Sequence, residues 1–113
     1  LVSCVKSKIP SSLLIQTVFT YENDNKKCNY TRGEPLCGPC AHSLNSCHYG
    51  GADGVLGAEA ADFNAVGGTY EKEYELSQKL EALKDACKFG FLQLEQTSGG
   101  YHTHVSTEGC SGN

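Results

Sequence analysis

"TYEKEYELSQKLEALKDACKFGFLQLEQTSGGYHTHVST", residues 69–107, changes its hydrophobic period halfway, and that change decides the fold. Leu76, Leu80, Leu83 and Cys87 recur at i, i+4, i+7 and i+11, an apolar stripe on one side of a helix. Lys72 and Glu73 hold the preceding positions on that face, so the stripe stops there, and Tyr70 and Tyr74 pair on another side. Thr69 is a suitable N-cap, Glu71 and Glu73 suit the positive end of the helix dipole, and Gly90 supplies a stop. The spacing predicts one helix to about residue 88, roughly 28 Å long at ~1.5 Å per residue. Charge pairing adds little, because Glu75–Lys79 attracts while Glu81–Asp85 and Lys84–Lys88 repel. Beyond Gly90 the period falls to two. "FLQLEQT", 91–97, and "YHTHVST", 101–107, predict a hairpin around the three-residue loop Ser98-Gly99-Gly100. Leu92 and Leu94 would face inward, and Tyr101, Thr103 and Val105 share a side.

Upstream, "SLLIQTVFTY", 12–21, is the clearest strand; both of its sides are apolar, which predicts a central place in the sheet. "LVSCVKSKI", 1–9, alternates weakly and reads as a strand ending at Pro10. A shorter helix is expected from Pro39, suited to a first turn, to about Cys47, with Cys40, Leu44 and Cys47 on its inner face. "AEAADFNAV", 58–66, fits either a short helix or a strand. The order predicts one α+β domain over residues 1–113, a mainly antiparallel sheet with two helices packed on one face. A ferredoxin-like arrangement follows if residues 58–66 form a strand.

Composition narrows the class. With 39% hydrophobic residues and ten aromatics (6 Tyr, 4 Phe) the chain is not of disordered type, and no apolar run reaches membrane-spanning length. Nine basic residues face 13 acidic ones, and the single basic pair, Lys26-Lys27, lies beside Glu22 and Asp24. There is no positive stripe for nucleic acid and no basic amphipathic helix for an anionic membrane. Methionine is absent even at position 1, as expected of a chain that begins after removal of a secretory signal.

Seven cysteines, Cys4, Cys28, Cys37, Cys40, Cys47, Cys87 and Cys110, run from end to end, the pattern of a secreted disulfide framework. A Cys4–Cys110 bridge would join the termini, and a bridge from Cys87 to Cys40 or Cys47 would tie the two helices. The odd count implies a free thiol or a bond to a second chain, so a dimer through an unpaired cysteine is open. Asn29-Tyr30-Thr31 is an N-glycosylation sequon, consistent with secretion.

Two sharper chemistries compete for "CGPC", 37–40. Cys37 at a helix start, resolved by Cys40, would make a thiol–disulfide oxidoreductase, since the tetrad resembles that of thioredoxin. Such a site also wants a strand running into the tetrad and a proline facing it later; the prolines are Pro10, Pro35 and Pro39. A zinc site would use Cys37, Cys40, Cys47 and either His48 or Cys28, although adjacent Cys47 and His48 chelate one ion awkwardly. Permanent disulfides are the simpler reading. His102 and His104 share a side of their strand, able to hold a metal but more often the solvated face of an edge strand, with no carboxylate pair in view. No cofactor or metal is therefore expected. Asp53, Glu59 and Asp62 surround the glycine-rich stretch without the spacing of a glycosidase pair, and "GGADGVLG" lacks the lysine of a P-loop. A Ser-His-Asp set can be assembled on paper from almost any composition, and carries no weight here.

The end-to-end cysteines, sequon, small size and lack of a catalytic motif give a pattern similar to the small cysteine-rich effectors secreted by plant-pathogenic fungi. Some of those families, including ones like fungal killer toxins, have α/β-sandwich or ferredoxin-like folds. The resemblance implies a secreted, non-enzymatic virulence or avirulence protein that enters host tissue and binds a host target, an immune receptor or a second effector. An oxidoreductase built on Cys37 and Cys40, and a secreted toxin or inhibitor, are the alternatives.

Overall fold

A computed structural model describes residues 2–19, 46–49, 59–97, 100–108 and 110. Its elements run α1 (Val2–Lys8), β1 (Leu14–Phe19), a 3-10 turn (Cys47–Tyr49), β2 (Ala60–Ala65), α2 (Tyr70–Glu81), α3 (Lys84–Cys87), β3 (Phe89–Thr97) and β4 (Gly100–Thr107). The expected short helix over 39–47 lies outside these residues except for its end, where Cys47 enters the 3-10 turn.

The four strands form one antiparallel sheet in the order β1-β2-β4-β3. Alternation along β2 sends Ala61, Phe63 and Ala65 to one face and Ala60 and Asp62 to the other. On the first face Phe63, Val105 and Phe89 pack with Leu76 and Leu80 of α2 and with Val5 and Ile9 around α1, all within one hydrophobic cluster. The fold is α+β with its helices on one face of an antiparallel sheet, stapled by disulfides.

Within 58–66 the structure forms strand β2 (Ala60–Ala65), the condition on which a ferredoxin-like arrangement depended. The segment β2-α2-α3-β3-β4 is a split β-α-β unit, with β4 lying between β2 and β3. The chain order differs, because α1 and β1 come first, where a β-α-β-β-α-β chain ends with a helix and strand.

Four local expectations are corrected. Residues 2–8 are helical: Val2, Val5 and Ile9 stand at helical spacing, burying Val5 and Ile9, while the weak alternation fits the same residues. Among the described strands β1 lies at the sheet edge, and its apolar start records burial of the neighbours Leu13 and Leu14 rather than a central place. The long helix breaks at Ala82–Leu83, where Leu83 N–H donates to the Leu80 carbonyl, three residues back. It restarts as α3 and ends at Lys88, whose backbone is left-handed (φ 58°), so Gly90 falls inside β3 instead of stopping the helix. The hairpin pairs out to Thr97↔Gly100, so Gly100 belongs to the strand and the loop is shorter than expected. The Thr69 cap holds, its hydroxyl accepting from Lys72 N–H at 3.3 Å.

Among the described residues the disulfides are Cys4–Cys87 and Cys47–Cys110, spanning 83 and 63 residues. Neither Cys4–Cys110 nor a bridge from Cys87 to Cys40 or Cys47 forms. Cys4 lies on α1, which packs against α3, and that proximity selects Cys87. Each closure is worth roughly 4–5 kcal/mol in the chain-entropy model. No described helix is long and apolar enough to cross a membrane.

Candidate functional site

Cross-strand register builds a polar cluster on the face opposite the helices. Asp62 of β2 stands directly opposite His104 of β4, and His102 of β4 stands opposite Glu95 of β3. β4 is flanked by strands on both sides, which corrects the expectation of a solvated edge for His102 and His104. His104 is 3% exposed and Asp62 5%, and the carboxylates that the sequence did not bring beside His102 and His104 are Asp62 and Glu95.

His48 closes the cluster from above. Its turn is held by the Ser46 hydroxyl accepting from His48 N–H (3.1 Å), by the Cys47–Cys110 bridge, and by Glu59 N–H donating to the Cys47 carbonyl (2.8 Å). Thr107 N–H donates in turn to the Glu59 carbonyl (2.9 Å), tying the turn to the end of β4. Cys47 is thus committed to a disulfide and leaves the cysteine-based zinc set, while its neighbour His48 turns onto the sheet, 1% exposed.

Three atoms converge. His104 Nδ1 lies 3.1 Å from Asp62 Oδ1, His48 Nε2 lies 3.4 Å from the same oxygen, and the two ring nitrogens are 3.2 Å apart. His102 Nε2 approaches Asp62 Oδ1 at 3.8 Å and pairs with Glu95 Oε1 at 2.8 Å. Burial alone would raise the Asp62 pKa. Hydrogen bonds from His104 and His48, and the charges of His48 and His102, outweigh it and hold the carboxyl well below the usual range. An ionised Asp62 only accepts, so His104 donates from Nδ1, and in the neutral ring its Nε2 then accepts from the Ser106 hydroxyl at 2.8 Å.

Ser106, His104 and Asp62 therefore have the connectivity of a nucleophilic triad, a set the sequence reading gave no weight. Ser106 is 0% exposed, however, and a nucleophile must stand about 3 Å from a substrate atom. The chemistry that burial permits is holding a cation among His48, Asp62 and His104, with Asp62, His102 and Glu95 forming a second group nearer solvent.

Of the acids around the glycine-rich stretch, Asp62 enters this cluster, Glu59 lends backbone groups to the turn, and Asp53 lies outside the described residues. Cys28, Cys37, Cys40 and Asn29 also lie outside them. Glu95 was not singled out in the sequence; its signal was the pairing register of a hairpin that places it opposite His102. Comparison with protein-family models, with curated proteins and with solved structures found no match to this chain.

Proposed function

We propose that the protein is a secreted, non-enzymatic effector that acts by binding a host or partner protein. The observation that carries this reading is the disulfide frame: Cys4–Cys87 and Cys47–Cys110 tie residues near both ends of the chain to the folded core. Such long closures persist in oxidising compartments. They hold a surface rigid at little further entropic cost on binding. The binding face is an aromatic trio. Tyr70 and Tyr74 are each 49% exposed and stacked at 6.1 Å, and Tyr101 meets Tyr70 edge-on at 5.3 Å. Tyrosine is enriched among residues that dominate protein interfaces, because it offers a large rigid area with a polar tip.

The test places a photo-crosslinking amino acid at position 74 of the oxidised protein and exposes it to extracellular proteins of candidate host tissue. The expected result is one discrete adduct, displaced by unlabelled protein but not by the Tyr70→Ala/Tyr101→Ala variant. Displacement by that variant as well would remove the proposed face. Insulin reduction that disappears with Cys37→Ser would replace the reading by the oxidoreductase. Growth inhibition of target cells that survives Tyr70→Ala/Tyr101→Ala would favour a toxin.

A further inference from the structure

The triangle of His48 Nε2, Asp62 Oδ1 and His104 Nδ1 has edges of 3.1, 3.2 and 3.4 Å. Protons alone cannot satisfy all three edges. Asp62 only accepts, and each ring nitrogen carries at most one hydrogen, aimed at one acceptor. If both nitrogens donate to Asp62, two N–H groups oppose each other at 3.2 Å. If one donates to the other, the second faces the carboxylate lone pair to lone pair. A cation at the centre satisfies every edge at once.

The dimensions select the cation. Zinc–nitrogen and zinc–oxygen bonds of about 2.0–2.1 Å in a tetrahedron put neighbouring ligand atoms about 3.3–3.4 Å apart. Calcium, at about 2.3–2.6 Å with six to eight oxygens, needs a wider and more acidic cage. Two imidazoles and one carboxylate are a borderline donor set of the zinc type. We propose that His48 Nε2, Asp62 Oδ1 and His104 Nδ1 are the protein ligands of a tetrahedral, zinc-type divalent cation.

The supporting shell is present. Ser106 Oγ lies 2.8 Å from His104 Nε2, where it accepts that nitrogen's proton once Nδ1 is given to the metal. The Phe91 ring packs edge-on against His104 at 5.8 Å and limits its rotation. His102 and Glu95, with side chains 18% and 28% exposed, are the members of the cluster nearer solvent, and the Glu95 carboxylate would draw a cation toward Asp62. The ligands come from three separate segments, the 3-10 turn, β2 and β4, so the ion is a third staple across the sheet. This inference does not depend on what the tyrosine face binds.

The experiment titrates chelator-stripped, fully oxidised protein with Zn2+ by calorimetry and with Co2+ by visible absorption. One equivalent binds, and Co2+ gives the intense bands of tetrahedral coordination. X-ray absorption of the zinc-loaded protein shows nitrogen and oxygen at about 2.0 Å and no sulfur at about 2.3 Å. Ser106→Ala weakens zinc roughly 10–100-fold, His104→Gln weakens it further, and Cys37→Ser/Cys40→Ser binds as wild type. No stoichiometric uptake by the wild type, a sulfur shell, or unchanged affinity in His104→Gln would overturn the site. The wild-type titration and spectra decide the matter even if His104→Gln does not fold.

Discussion

Glu73 is a carboxylate 1% exposed on the inner face of α2, a position where an ionised group costs several kcal/mol unless it is partnered. Its Oε1 accepts from Ala65 N–H at 3.0 Å, closing a backbone donor at the end of β2, while Oε2 has no hydrogen-bond partner. Burial pushes its pKa up, only partly offset by the Ala65 bond and the charge of His102. A raised carboxyl pKa means the folded state holds the proton more tightly than the unfolded chain. The contribution is therefore fully present below the unfolded value, about 4.3, and is lost as pH rises through the folded value. Glu73→Gln, which keeps the acceptor and cannot ionise, should flatten that part of the stability–pH curve, as read from urea midpoints between pH 4 and 7. An unchanged slope would show that Glu73 is solvated. Asp62 works in the opposite sense, since its neighbours stabilise the anion. Asp62→Asn should cost about 1.5–3 kcal/mol at pH 7, the range for a hydrogen bond to a buried charge. Ser106, sealed beneath the cluster, should stay unlabelled by a fluorophosphonate probe; labelling would revive the triad. At this scale the residue types were visible in the sequence and their roles were not. "YHTHVST" shows two histidines on one side of a strand, but Asp62 and Glu95 arrive from strands whose register no local pattern specifies.

Among the elements, the 69–97 stretch was legible wherever periodicity alone decides. Thr69 caps the helix, Leu76, Leu80 and Cys87 are buried, and Leu92 packs inward from β3. The break at Ala82–Leu83 was not legible, because the long-range bond of Cys87 to Cys4 on α1 lies outside any local period. The same bond explains the misread first nine residues: a strand and a helix both fit nine positions, and the tertiary partner chooses. β4 shows a further limit, since alternation reveals which face a side chain takes but not how many strands flank it. The α3 terminus offers a test. Lys88 adopts the left-handed conformation with its side chain exposed, so the backbone bears a cost that glycine avoids. Lys88→Gly should stabilise the protein by about 1 kcal/mol, raising the melting temperature by several degrees. Destabilisation instead would mean that the lysine side chain supports the join between α3 and β3.

At the scale of the molecule the two bridges among the described residues do different work, and the difference can be measured. Cys4–Cys87 clamps α1 to α3 on the helix side of the sheet, the face opposite the histidines. Cys47–Cys110 anchors the turn that delivers His48 to the opposite face. Removing either pair as serines should cost about 2–5 kcal/mol, so stability alone would not separate them. Zinc affinity would. Cys47→Ser/Cys110→Ser frees the segment carrying one of three ligands and should weaken binding by at least about tenfold, the lower bound for loosening an outer support. Cys4→Ser/Cys87→Ser, at equal loss of stability, should leave the affinity within about threefold, because couplings between distant sites are small. Equal effects on zinc would mean that the ion reports general folding rather than the turn. Peptide mapping of the same oxidised samples bears on the tetrad that no local pattern could resolve. With Cys4, Cys47, Cys87 and Cys110 paired, Cys28, Cys37 and Cys40 form an odd set in which at most one bridge can close within the chain. A Cys37–Cys40 bond leaves Cys28 over and keeps the redox alternative; a bond from Cys28 to either tetrad cysteine removes the resolving pair and with it that chemistry. Mapping should find Cys28 bonded to one of the two, with the third cysteine titrating as a thiol or linking a second chain.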